Sequence, residues 1–198
     1  MKKLILGLFI VAGSLAFAQE KTEFKSPIGF GVKAGLNLSH LNSIRTGKAG
    51  FNVGIFASIP LANSFTLQPE ALYSQYGAFV PENKEVASFA QARLNLDYIT
   101  VPVMLQYNVS SKFYVEAGPE FGLMVNNKFK TENGTSLKFG YGLNKFNLGL
   151  GLGLGFNFSK NFGFNARYIA GLTNPIKKAY AESMANSTFQ LGVTYKFK

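Results

Sequence analysis

Between residues 146 and 158 every second position is apolar: Phe146, Leu148, Leu150, Leu152, Leu154, Phe156 and Phe158. The positions between them, Asn147, Gly149, Gly151, Gly153, Gly155 and Asn157, are all small or polar. A period of two is that of a β-strand, whose side chains alternate between faces, and it excludes a helix over this stretch. A flexible linker is Gly/Ser-rich and would not keep phenylalanines and leucines in strict alternation. The segment therefore has one continuous greasy face and one face of hydrogens and amides.

The same alternation recurs along the chain, broken by clusters of Asn, Ser, Lys and Gly. It predicts eight strands: 28–40, 50–59, 65–77, 93–107, 113–125, 146–158, 162–172 and 187–197. In the first, Ile28, Phe30, Val32, Ala34, Leu36 and Leu38 take one face and Lys33, Asn37 and Ser39 the other; in the second, Phe51, Val53, Ile55 and Ile59 share the apolar face. The fourth is ambiguous, because Leu94, Leu96 and Tyr98 have one parity while Ile99, Val101, Val103, Leu105 and Tyr107 have the other. A bulge near Asp97 to Pro102 could switch its phase. The connections 60–64, 108–112 and 159–161 are short; 41–49, 78–92, 126–145 and 173–186 are long, and the two kinds alternate. That is the pattern of an all-β, eight-stranded antiparallel up-and-down barrel with both termini at the short-turn end.

Composition decides what surrounds the barrel. Only 15% of residues are charged, against roughly 25% in soluble domains. A soluble barrel would cover its outer face with charge, and this chain lacks the residues to do so; the greasy face is expected to meet lipid, making the barrel transmembrane. Both ends of the chain agree. Lys2 and Lys3, an apolar run from Leu4 and the ending Ala16-Phe17-Ala18 have the order of a cleaved secretory signal over 1–18, leaving 19–198 as the barrel domain. At the other end Gln190, Gly192, Tyr195 and Phe197 form a closing strand similar to the carboxy-terminal signal read by barrel-assembly machinery, with Lys198 added after the usual last aromatic. Strand-end aromatics, including Phe65, Phe113, Phe158, Tyr168 and Tyr195, would form the interfacial girdles. The chain has no cysteine, which excludes disulfides, thiolate metal sites and a cysteine nucleophile.

Several short stretches in order resemble the PorT-like outer-membrane β-barrel proteins of Gram-negative bacteria, often called the porin family. They are Gly29-Phe30-Gly31-Val32-Lys33-Ala34-Gly35-Leu36-Asn37, Leu67-Gln68-Pro69-Glu70-Ala71-Leu72-Tyr73-Ser74, Tyr98-Ile99-Thr100-Val101-Pro102, Phe113-Tyr114-Val115-Glu116-Ala117-Gly118-Pro119 and Ala166-Arg167-Tyr168-Ile169-Ala170-Gly171-Leu172-Thr173-Asn174. The resemblance implies an outer-membrane location and no shared active site. It also implies one alternative to a surface or structural role, an accessory of protein secretion across the outer membrane; a second, a narrow channel for small solutes, is a reading of the charges in the interior and not of the family label.

An eight-stranded barrel is filled by its own side chains. Parity assigns Lys33, Glu70, Glu116, Glu120, Arg167 and Lys196 to the interior, with Gln68 and Gln190, so charges of both signs are present and pairing is expected. The glycine row of 146–158 leaves room for Arg167 to reach Glu116 or Glu120. Catalysis finds little support: the single histidine, His40, is flanked by Ser39 on the opposite face and Ser43 in a connection, with no acid near in sequence. No cofactor or metal is expected. The mature chain would keep a charge near +8 after loss of Lys2 and Lys3. Arg45, Lys48, Lys128, Lys130, Lys138, Lys177 and Lys178 fall in or beside the long connections, where lipopolysaccharide phosphates lie, so outer-membrane lipid is the expected partner. An export signal argues against nucleic acid, and a monomer is expected.

Overall fold

The computed structural model describes residues 28–41, 44–62, 64–80, 92–131, 136–137, 144–173 and 186–197. Its strands are β1 (Gly29–Leu41), β2 (Ile44–Ala62), β3 (Phe65–Val80), β4 (Ala92–Asn108), β5 (Phe113–Thr131), the two-residue β6 (Ser136–Leu137), β7 (Phe146–Asn157), β8 (Phe162–Gly171) and β9 (Asn186–Lys196). All pairings are antiparallel. Apart from β6, which adds to the end of β5, each strand pairs with its chain neighbours, and β9 returns to pair with β1 over Gly31↔Lys196 to Leu41↔Asn186. The result is a closed eight-stranded up-and-down barrel.

Paired positions traced around the wall from Tyr98 run through Ser74, Asn52, Gly35, Gly192, Asn165 and Gly155 to Tyr114. Tyr98 itself pairs with Met124, so the circuit returns to β5 ten residues from its start. A stagger of that size in eight strands tilts them by about 40° to the barrel axis. It also brings together inner residues far apart in sequence.

The distribution of polarity is inverted relative to a soluble fold. Leu36, Leu150, Leu152, Ile55 and Phe164 stand exposed on the outer face, Leu152 at 67%, while Lys33, Glu70, Glu116, Glu120 and Arg167 inside are each 2% exposed or less. An apolar surface this extensive is stable only against hydrocarbon. At the short-turn end Phe65 packs on Tyr107, Phe158 on Phe162 and Phe164, and Tyr195 on Phe162 and Phe197, giving an aromatic belt at one interface. Tyr168 lies towards the opposite end of β8. Two of the short turns share one device: the Ser110 hydroxyl accepts from the Phe113 amide and the Ser159 hydroxyl from the Phe162 amide, both at 3.0 Å.

Two sequence expectations are corrected. The connection expected over 41–49 is mostly strand, since β1 and β2 continue as a ribbon until Leu41 pairs with Ile44, and β5 likewise runs on through Lys128 and Lys130 to Thr131. Beyond the membrane the outer face no longer needs to be apolar, so alternation stops while backbone pairing continues. The irregularity near Asp97 exists, but the extra residue is Val125 on β5: Asp97 pairs with Asn126 and Tyr98 with Met124. β4 keeps one phase against β3, with Leu96 and Tyr98 inside beside Tyr76 in a small apolar cluster. The bulge is taken up by the partner strand.

Candidate functional site: the barrel interior

Among the described residues, those buried are mainly polar, and charged side chains occupy the centre. Register explains why. Glu116 on β5 pairs with Gly153 on β7, and Gly153 pairs with Arg167 on β8, so acid and base flank a residue with no side chain. Arg167 crosses that gap: its Nε donates to Glu116 Oε1 at 2.8 Å. The glycine at 153 is required by space, since a Cβ there would sit 2.7 Å from the Ala166 carbonyl and 3.0 Å from Glu116 Oε1. At Gly155 the room is taken by the Tyr114 ring.

The far end of the guanidinium reaches across the barrel to β3, donating from Nη2 to Glu70 Oε1 at 2.7 Å and from Nη1 to Glu70 Oε2 at 3.1 Å. Glu70 also accepts from Lys33 Nζ on β1 at 3.0 Å and from Gln68 Nε2 at 2.9 Å. Gln106 Nε2 on β4 donates at 3.1 Å to both Glu116 Oε2 and Gln68 Oε1. Two cations and two carboxylates thus form a neutral network, its charges drawn from β1, β3, β5 and β8, with every lysine, arginine and carboxylate side chain in it 1% exposed or less. A buried carboxylate is tolerated when paired and hydrogen-bonded in this way.

Glu120 stands apart. It makes no ion pair with Arg167; Tyr76 donates its hydroxyl to Glu120 Oε1 at 2.8 Å, and Gln190 Nε2 donates to the Tyr76 oxygen at 3.3 Å. The partner that parity alone did not single out for Arg167 is Glu70, 97 residues earlier in the chain, which the stagger of the wall carries to it. Lys196 lies at the short-turn mouth, half-buried, its ammonium donating to Ser58 Oγ at 3.3 Å.

The remaining sequence candidates distribute as follows. Gln190 and Gly192 face inward, and Tyr195 and Phe197 outward into the aromatic belt, with the Phe197 amide donating to the Phe30 carbonyl to lock the last strand onto the first. Lys48 lies on the β2 ribbon, its ammonium 3.3 Å from the Tyr76 carbonyl. Arg45, Lys128 and Lys130 are strand positions, Lys128 opposite Asn95 and Lys130 opposite Arg93. Residues 1–18, Lys138, Lys177, Lys178 and Lys198 lie outside the described residues, as does Ser43. His40 pairs in register with Ser187, and the adjacent Ser39 hydroxyl is engaged by Thr188 Oγ1 at 3.1 Å. Among the described residues no group of His, Asp and Glu is arranged to hold a metal.

Solved structures with the same architecture include Neisserial surface protein A, at 15% identity and a TM-score of 0.57 over 87% of this chain and 98% of that one. Ail, the attachment invasion locus protein of Yersinia pestis, superposes with a TM-score of 0.50 at 18% identity over 87% of this chain and all of Ail. These likenesses concern the fold. No match was found among curated proteins. The family model described as outer membrane protein beta-barrel domain matches residues 17–177, most of the chain. With its closed barrel, lipid-facing apolar wall and polar core, this chain belongs to the outer membrane protein β-barrel domain family.

Proposed function

We propose that the chain is a plugged, non-catalytic outer-membrane barrel of a Gram-negative bacterium, working as a structural or surface-interaction protein through the basic segments at its long-loop end. The observation that carries this reading is the interior network of Lys33, Glu70, Arg167 and Glu116, which ties strands from different sides of the wall across the lumen. An ion crossing here would have to part these contacts, and breaking one buried pair costs about 3–5 kcal/mol. The interior therefore serves as a permanent plug. Interaction falls to the cations that the sequence gathers at the long-loop end, Arg45, Lys128 and Lys130 at strand positions with Lys138, Lys177 and Lys178 beyond them, for which lipopolysaccharide phosphates are the proposed partner, while Lys48 is held by the Tyr76 carbonyl. Ail, which shares the fold, has been crystallised with the heparin analogue sucrose octasulfate, a polyanion. Residues 1–18 act as the export signal, Gln190 to Phe197 are read by barrel-assembly machinery, and the barrel works as a monomer without cofactor.

The test is to refold residues 19–198 in detergent micelles, compare unboiled with boiled migration on a gel, and record planar-bilayer conductance from the same preparation. Heat-modifiable migration without discrete openings is expected. Resolved openings would overturn the plug in favour of a narrow channel, and cargo retained in cells lacking the protein would favour the secretion accessory.

A further inference from the structure

The inner wall along β8, β9, β1 and β2 is a grid of paired positions. One row reads Asn165, Gly192, Gly35, Asn52; the next towards the long-loop end reads Arg167, Gln190, Asn37, Gly50; the next towards the short-turn end reads Gly163, Thr194, Lys33, Gly54. The middle row therefore has a carboxamide at each end and two glycines between them, at the β1–β9 joint where the barrel closes.

Both carboxamides lean over that glycine pair. Asn52 Oδ1 lies 3.1 Å from where a Cβ on Gly35 would be, and Asn165 Oδ1 2.6 Å from one on Gly192. The orientation of Asn52 is fixed from behind. Asn37 gives its Nδ2 to the carbonyls of Phe51 and Gln75, both at 3.2 Å, so its oxygen accepts from Asn52 Nδ2 at 2.6 Å and the Asn52 oxygen is turned to the glycines. Asn52 is 1% and Asn165 4% exposed, yet Asn52 Oδ1 and both polar atoms of Asn165 have no protein partner among the described residues. Gln190 Oε1, one row above, and Glu120 Oε2 are likewise without one.

Buried polar atoms are almost always hydrogen-bonded. Here acceptors outnumber donors four to one, and two amide oxygens approach one glycine pair from opposite sides. Two acceptors facing one glycine pair call for a small partner that donates in two directions, which describes water. We propose that the Gly35–Gly192 position is a buried hydration site. One water donates to Asn52 Oδ1 and to Asn165, and a second serves Gln190 Oε1 and Glu120 Oε2. Its role is mechanical: the chain Asn37, Asn52, water, Asn165 bridges β2 to β8 across the closing joint, beside the ion network.

The test uses the refolded barrel in micelles, with folding of each variant checked by heat-modifiable migration. Magnetisation exchange between water and the ¹⁵N-labelled side-chain amide of Asn165 is expected in the native protein and lost in Gly192→Ala, whose methyl would fall 2.6 Å from Asn165 Oδ1 and push that amide off the glycine pair. Asn165→Leu is expected to lower the urea midpoint, because it strands the water and Asn52; a dry, unpartnered amide predicts the reverse, a raised midpoint, which would overturn the proposal. Asn165→Ser, small enough to admit a water and still able to bind it, is expected to recover most of the loss, and failure to do so counts against a water bridge. Replacing sodium by potassium or choline should leave the midpoint unchanged, whereas a cation-dependent shift would reassign the site to a metal ion.

Discussion

Arg167→Met isolates the value of the interior network. Methionine fills much of the volume and removes the charge and three donated hydrogen bonds. The two acids are left in different states. Glu70 keeps Lys33 Nζ at 3.0 Å and Gln68 at 2.9 Å, so its charge remains compensated. Glu116 keeps only Gln106 at 3.1 Å and becomes the stranded charge in a network whose net charge falls from zero to minus one. One uncompensated buried charge should cost about 3–5 kcal/mol. Adding Glu116→Gln restores neutrality with the pair Lys33 and Glu70 intact, so the double variant should be less damaged than the single, with roughly 1–2 kcal/mol remaining for the lost hydrogen bonds. The two substitutions should therefore be strongly non-additive, as expected for neighbours in one network. The chain has no tryptophan, so urea unfolding in lipid vesicles is best followed by far-UV circular dichroism and by gel migration. A loss below about 1 kcal/mol for Arg167→Met, or a double variant as unstable as the two singles summed, would refute the account of a neutral, mutually dependent network.

Gly155→Val is expected to prevent folding or to expel the Tyr114 ring, because the ring occupies the space of any Cβ at 155; retention of full heat-modifiable migration with an unchanged tyrosine near-UV signal would contradict this. Replacing Arg45, Lys128 and Lys130 together by serine should weaken binding to lipopolysaccharide vesicles and flatten its salt dependence while leaving the unfolding free energy in urea within about 0.5 kcal/mol of the parent, the usual range for surface changes. Tyr195→Ala with Phe197→Ala removes the Tyr195 contacts to Phe162 and Phe197 and is expected to slow assembly, measured as the rate at which the heat-modifiable band forms in vesicles.

The barrel was legible because its wall separates two solvents. Where both faces are constrained, as in Phe146 to Phe158, parity alone assigns every side chain. Legibility fails where one constraint lapses. Above the membrane the β1–β2 and β4–β5 ribbons continue through Lys48 and Lys130 with no apolar face to betray them, and a reading by alternation ends them early. It fails again at Leu96 and Tyr98, whose inward apolar side chains look like an outward strand, because the interior near Tyr76 is itself apolar. The ion network was half legible. That Lys33, Glu70, Glu116 and Arg167 face inward follows from parity, but that Arg167 takes Glu70 and leaves Glu120 to Tyr76 depends on the ten-residue stagger, a property of the closed wall that no single strand encodes.

That dependence also bears on why charges occupy a space that leucines could fill. Replacing a buried ion network by apolar residues is often neutral or stabilising, so the network is weak evidence for stability as such. It does specify which side of each strand is inside. A one-residue slip would turn the face carrying Lys33, Glu70, Glu116 or Arg167 towards lipid. Each lysine or arginine so exposed at mid-bilayer costs about 2–4 kcal/mol. With those four charges made apolar, the inner faces of β1, β3, β5 and β8 would be marked only by residues such as Asn37, Ser74, Glu120 and Asn165, and slipped registers would compete more closely with the native one. Lys33→Met, Glu70→Leu, Glu116→Leu and Arg167→Met combined should therefore leave the folded barrel about as resistant to urea as the parent, yet lower the fraction of chains that reach the heat-modifiable form. Assembly yield and rate equal to the parent's would mean that register is set elsewhere, by the glycine rows and the aromatic belt.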